Sequence, residues 1–224
     1  MIHTATIKIK VVLGEPSPPP PPPPPPFVGT KIKIAVSADE LGFGINHIEK
    51  SDEVTEFSVD WGDGITEEGR SITNLTHFYS TPGSYEIRIS DGINNLTLAA
   101  YQGETKFVTT YPLAVREVQI NATRLTSVGT GCFYNCKNLT KVGFTAPNVA
   151  TMPSRCFQGC ASLSGRLDFP AIASLGRILP FAECTGGITE IHFPAASEVA
   201  ITSSSIYKAD PTLGSGNAVC VFDL

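Results

Sequence analysis

Apolar and polar residues alternate in short runs along this chain. The runs FSVDW (57–61) and SYEIRIS (84–90) switch character at every residue, and TIKIKVV (6–12) does so up to Val11. SYEIRIS places Tyr85, Ile87 and Ile89 on one face. This period of two predicts half-buried β-strands. Farther on the runs shrink to pairs, at Val118/Ile120, Val142/Phe144, Leu167/Phe169 and Ile191/Phe193, with a last strand around Val219 and Val221. Asp63-Gly64 and Thr81-Pro82-Gly83 punctuate the middle of the chain as turns.

The later pairs belong to a repeat. Phe133, Phe157 and Phe181 stand 24 residues apart, and Cys136, Cys160 and Cys184 keep the same step. Cys132 and Cys156 share it, with Pro180 in the third place. One short strand per 24 residues is the signature of a leucine-rich solenoid, in which no unit can bury its apolar face alone and stacking builds the core. The Phe and Cys positions then form inward columns, and a free thiol suits a tight buried column. Two alternatives stand beside this structural reading of the thiols. One is a disulfide between rungs; the other is a zinc site from the C-x3-C pairs at 132/136 and 156/160. The third unit lacks the second Cys, so a metal site explains two units where a rung explains all three.

"LTSVGTGCFYNCKNLTKVGF" (125–144) resembles the BspA-type leucine-rich repeat, and "MPSRCFQGCASLSGRLDFP" (152–170) and "LGRILPFAECTGGITEIHFP" (175–194) repeat it. The second unit carries one extra residue before Leu167; the third has Gly187 in place of Leu, with Ile188 beside it. Residues 203–217 read as a degenerate cap. The resemblance implies adhesion or protein interaction on a cell surface. "DWGDG" (60–64), "HFY" (77–79) and "PGSYEIRIS" (82–90) resemble the PKD-like domain, an immunoglobulin-like β-sandwich. That resemblance implies a spacer or binding module.

The expected fold is mainly β: a PKD-like β-sandwich followed by a short leucine-rich-repeat solenoid. Four segments are expected: a strand-forming arm (1–15), a polyproline linker (16–27), the sandwich (28–100) and the solenoid with its cap (101–224). Nine consecutive prolines, Pro18 to Pro26, form a polyproline rod of roughly 28 Å, at about 3.1 Å per residue. The rod holds the arm away from the next unit, where it can pair with another sheet edge and form a homo-oligomer, a trimer in the simplest case.

Composition narrows the function. Net charge is −5 and 17% of residues are charged, so the cationic footprint of a nucleic-acid-binding protein is missing. Gly (20) and Pro (18) are frequent, which favours turns and short strands over helices. No run approaches the roughly 18–20 apolar residues of a membrane span. MIHTATIKIKVVLGE lacks the features of a secretory signal, so synthesis in the cytosol without export by the usual route is expected. None of the four histidines lies in a nucleophile, metalloprotease or phosphate-loop motif. A non-enzymatic protein without cofactor is expected. Asp60 and Asp63 are weak calcium candidates, because two carboxylates in a turn fall short of six to eight oxygens; turn-stabilising acceptors are the plainer reading.

Surface-type modules without an export signal suggest a phage virion or particle-appendage subunit, with the virion surface as location and other particle subunits as partners. The alternative is a bacterial or protist cell-surface adhesin that binds a host protein or glycan. In both, the ligand surface expected is the solvent-facing side of the solenoid strands, with Gln119, Lys141, Gly143, Asp168 and His192 as its residues.

Overall fold

In a computed structural model the described residues are 25–69, 71–98, 101–102, 106–107, 112–176, 180–195 and 219–221. The expected arm, the linker up to residue 24 and the expected cap at 203–217 lie outside them. The chain is mainly β, with no α-helix among the described residues.

Seven strands come first: β1 (Gly29–Val36), β2 (Gly42–Lys50), β3 (Phe57–Asp60), β4 (Thr66–Gly69), β5 (Ile72–Phe78), β6 (Gly83–Ser90) and β7 (Ile93–Thr97). A small hairpin follows, β8 (Tyr101–Gln102) with β9 (Lys106–Phe107), then β10 (Val115–Asn121) and β11 (Ser127–Val128). The repeats add β12 (Lys141–Phe144), β13 (Thr151–Met152), β14 (Gly165–Asp168), β15 (Ser174–Leu175), β16 (Ile188–His192) and β17 (Val219–Val221).

Two large sheets contain the first strands. One has the order β12-β10-β1-β6-β3-β4; the other runs β11-β7-β2-β5. The alternation read from the sequence decides which side of each strand is covered. Ile32, Ile34, Ile87 and Ile89 of the first sheet and Phe43, Ile45, Ile48 and Leu96 of the second are all buried, and belong to one core. Trp61, just past β3, is fully buried in the same core.

Pairing in these sheets is antiparallel except at two places. β10 pairs with β12 in parallel, and β7 pairs with β11 in parallel. Parallel neighbours need a crossover connection, and here the crossovers are the coils of the solenoid. Each coil contributes one strand of a long column and one very short strand of a second column. The second column pairs β13 with β15, and the first resumes as β14-β16-β17, all parallel. The two units expected to meet near residue 100 therefore share both sheets. β1 and β10 make a six-pair antiparallel ladder from Gly29↔Asn121 to Ile34↔Val115. The end of the solenoid is covered by hydrogen-bonded strands, which meets the need of a repeat stack for a cap.

Between the strands lie the Phe-x-x-Cys turns. Phe133 and Phe157 rings stack at 5.0 Å with planes 7° apart, and Phe157 and Phe181 at 5.4 Å and 11°. A second aromatic column, Phe144–Phe169–Phe193, has centroid spacings of 5.8 and 5.6 Å. Phe169 also touches Phe157 and Phe181, at 5.9 and 5.8 Å, and so ties the columns together. Main-chain bonds join the turns rung to rung: the Phe133 N–H donates to Cys156 O and the Phe157 N–H to Pro180 O, each at 2.8 Å. The thiols follow. Cys160 Sγ donates to Phe133 O (3.2 Å) and Cys184 Sγ to Phe157 O (3.1 Å). Ile188 is buried beside this core, next to the Gly187 that replaces Leu.

The residue before each of these cysteines is left-handed: Asn135 (φ 56°), Gly159 (φ 76°) and Glu183 (φ 62°). Few residues accept this conformation cheaply; Gly and Asn do. The strand column has one break. No ladder joins β12 to β14, and the extra residue before Leu167 lies between these two strands.

Candidate interaction surface

The outward side of the strand column carries two rows of polar residues. Registered pairs define the first: Glu86↔Lys33, Lys33↔Glu117 and Glu117↔Lys141, continued beyond the break by Arg166↔Glu190. The second runs Arg88↔Lys31, Lys31↔Gln119 and Gln119↔Gly143, continued by Asp168↔His192. Alternate residues of a strand point to opposite faces. Of the residues between these, Ile32, Val118, Leu167 and Ile191 are buried and Val142 is partly buried against the same core.

All five expected residues fall on this side, and they group into two hollows. Gln119, Lys141 and Gly143 line a cleft of ≈ 380 Å³ together with Lys31, Lys33, Glu86, Glu117 and Val118. Asp168 and His192 line a second hollow of ≈ 310 Å³ with Arg166, Pro170, Pro194 and the β12 residues. Gly143 borders both. With no side chain there, the two hollows meet.

Lys31, Lys33 and Glu86 come from β1 and β6 and are absent from the sequence-derived set. Their strands alternate legibly, but nothing local says that Lys33 will lie beside Glu117, 84 residues away. Arg166 and Glu190 were also missed. Alternation alone would have found them, as the outward neighbours of Leu167 and Ile191.

Charge is largely compensated on this face. Lys33 Nζ lies 2.9 Å from Glu117 Oε2, and Lys31 Nζ 3.9 Å from Glu86 Oε1. Arg166 bonds Asp168 through Nε (3.0 Å) and Nη2 (2.8 Å) and reaches Glu190 with Nη1 at 2.6 Å. The Arg166 guanidinium, aided by His192, holds the Asp168 carboxyl below the usual carboxylate range. His192 Nδ1 sits 2.9 Å from Asp168 Oδ1 and 2.8 Å from Arg166 Nη2. A protonated Nδ1 donates to the carboxylate; a bare Nδ1 accepts from the guanidinium. The proton on that nitrogen thus selects the partner.

The other candidates lie elsewhere. Asp60 Oδ1 accepts the Gly62 N–H and Asp63 Oδ1 the Ile65 N–H, as turn-forming carboxylates do. Asp63 Oδ2 also meets His77 Nε2 at 2.8 Å. Partial desolvation pushes the Asp63 carboxyl up, but His77 and the Ile65 N–H outweigh it and hold it low. His77 in turn stacks on Trp61 at 4.8 Å, and Tyr79 Oη donates to Trp61 O. Cys132, Cys136, Cys156, Cys160 and Cys184 are free and buried. Burial pushes the Cys132 and Cys184 thiols up to about 12 and raises the other three strongly. Thiols held neutral in this way are poor nucleophiles and poor metal ligands.

Comparison with known families agrees with the column architecture. The model of the BspA type leucine rich repeat region matches six copies over residues 71–211. This span exceeds half of the chain, and the protein belongs to that repeat family. The match begins inside β5's neighbourhood, well before the first Phe-x-x-Cys unit. No curated protein and no solved structure matches the chain.

Proposed function

We propose that this protein is a non-enzymatic interaction protein of the surface-adhesion type, binding a protein or glycan through the outward face of its strand column. The observation that carries this is the pair of adjoining hollows on that face, bordered by strands of both the repeats and the first sheets. Membership in a repeat family often used for adhesion favours the same reading. The first unit acts as cap and support. Its two sheets, its Trp61–His77 stack and its DWGDG turn support a PKD-like assignment for it.

The particle-appendage reading draws on residues 1–24, outside those described, and nothing in the described residues favours it over adhesion. The test is direct. The full chain is immobilised and probed with a panel of extracellular matrix proteins and a glycan array, beside a variant carrying Gln119→Ala, Lys141→Ala, Asp168→Ala and His192→Ala. A ligand bound by the native chain and lost by the variant supports the proposal. Equal binding by both, or binding to nothing on either panel, overturns it.

A further inference from the structure

The composite cleft holds one cation too many. Three lysines and two glutamates line it. Glu117 pairs with Lys33 at 2.9 Å, while Glu86 Oε1 accepts from Arg88 Nε at 2.9 Å and lies 3.9 Å from Lys31 Nζ. Glu117 is also the register partner of Lys141, yet it spends its carboxylate on Lys33. Among the described residues Lys141 makes no ion pair, and it is exposed along the lining of the groove. Beside Gly143 the second hollow adds apolar surface from Val142, Pro170 and Pro194, with Phe144 buried beneath, next to the Arg166–Asp168–His192 cluster that also lines it.

We infer that this groove is a subsite for an extended acidic–apolar peptide segment of a partner protein, with a Glu or Asp carboxylate on Lys141 and an apolar side chain in the hollow beside Pro170 and Pro194. The inference rests on the proposed interaction role and specifies its ligand. Charge complementarity fixes the first position, since Lys141 is the cation left unpaired. Residues two apart in an extended chain share a face at a separation of about 6.7 Å, so one acidic and one apolar side chain at i and i+2 point into the groove together. A peptide fits better than a carbohydrate here. Sugar rings stack on exposed aromatic faces; no aromatic residue lines the cleft, and the one that borders the second hollow, Phe144, is buried. β1 of the first unit closes one end with Lys31 and Lys33, so the subsite is incomplete in the repeats alone.

Gly143 offers a clean probe. It is not in the left-handed region, and a Cβ built on it meets only Gln119 Cγ, at 3.5 Å. A larger residue there is accommodated by the fold but stands between the two hollows.

The experiment titrates the isotopically labelled full chain with the peptide acetyl-Gly-Ser-Glu-Ser-Leu-Ser-Gly-amide at low salt and follows amide shifts by NMR. The expected result is shifts confined to β1, β10, β12 and β14. Lys141→Gln weakens binding about 1.5- to fivefold, the range of one exposed ion pair, and replacing Glu by Gln in the peptide gives the same loss. Gly143→Leu, with its amide spectrum otherwise native, abolishes binding. Lys137→Gln, in the neighbouring turn, leaves affinity unchanged. Shifts elsewhere, or Lys141→Gln binding as tightly as native, overturn the inference. If the peptide fails while the four-alanine variant still loses a glycan, the peptide chemistry is wrong and the interaction surface stands.

Discussion

At the level of single residues, the repeat positions differ in what they tolerate. The left-handed site before each Cys is filled by Asn135, Gly159 and Glu183. A Cβ on Gly159 would lie 2.3 Å from Asn135 Oδ1. Gly159→Ala therefore combines a conformational penalty with a clash and is expected to lower the free energy of unfolding by about 1–2 kcal/mol in urea titrations. The thiols give a pH prediction. Burial raises their folded pKa values, to about 12 for Cys132 and Cys184, above an unfolded value of about 8.5. Their contribution is thus fully present below pH 8.5. As pH rises beyond that, the unfolded chain loses thiol protons that the folded chain keeps, and stability falls by about 1.4 kcal/mol per pH unit for each such thiol until the folded pKa is reached. Urea midpoints measured from pH 8 to 10 should fall accordingly. At pH 8 the five thiols should resist a thiol reagent in the native protein and react at once in denaturant.

At the level of elements, strand formation follows from alternation, while the hold between rungs depends on polar clasps. Thr140 Oγ1 donates to Arg116 O and Thr145 Oγ1 to Ile120 O, both at 3.1 Å. Asn138 Nδ2 reaches Leu113 O and Asn148 Nδ2 reaches Thr123 O. These side chains flank both ends of β12, where the parallel column begins. Thr145→Val keeps the shape, removes the donor, and should cost about 1 kcal/mol in denaturant unfolding. The break between β12 and β14 was half legible. The extra residue before Leu167 can be counted in the sequence. The interrupted ladder, with Gly143 at the junction of two hollows, depends on how the coils settle against one another.

At the level of the whole molecule, the shared sheets make one folding unit from what reads as two. Trp61 is the single Trp and lies in the first unit; the thiol column lies in the repeats. Trp61 fluorescence and thiol exposure should report the same urea midpoint, because β1–β10 and β7–β11 carry hydrogen bonds across the join. Two separate transitions would refute this. For the same reason residues 112–224 expressed alone should lack cooperative unfolding, since β10 loses β1 and β11 loses β7.

The sequence by itself determined the period, the columns and the outward side of each strand. These are local properties: alternation sets which face a residue takes, and a fixed step sets which residues stack. Gln119, Lys141, Asp168 and His192 could be assigned to one side on that basis alone. The tertiary structure decided which strand stands beside which. Lys33 meets Glu117 through pairing across more than eighty residues, and no local pattern encodes that choice, because a Lys-bearing strand pairs as well with many others. The unpaired state of Lys141 follows from it. Local chemistry wrote the surface residues; long-range pairing chose which charge among them was left over.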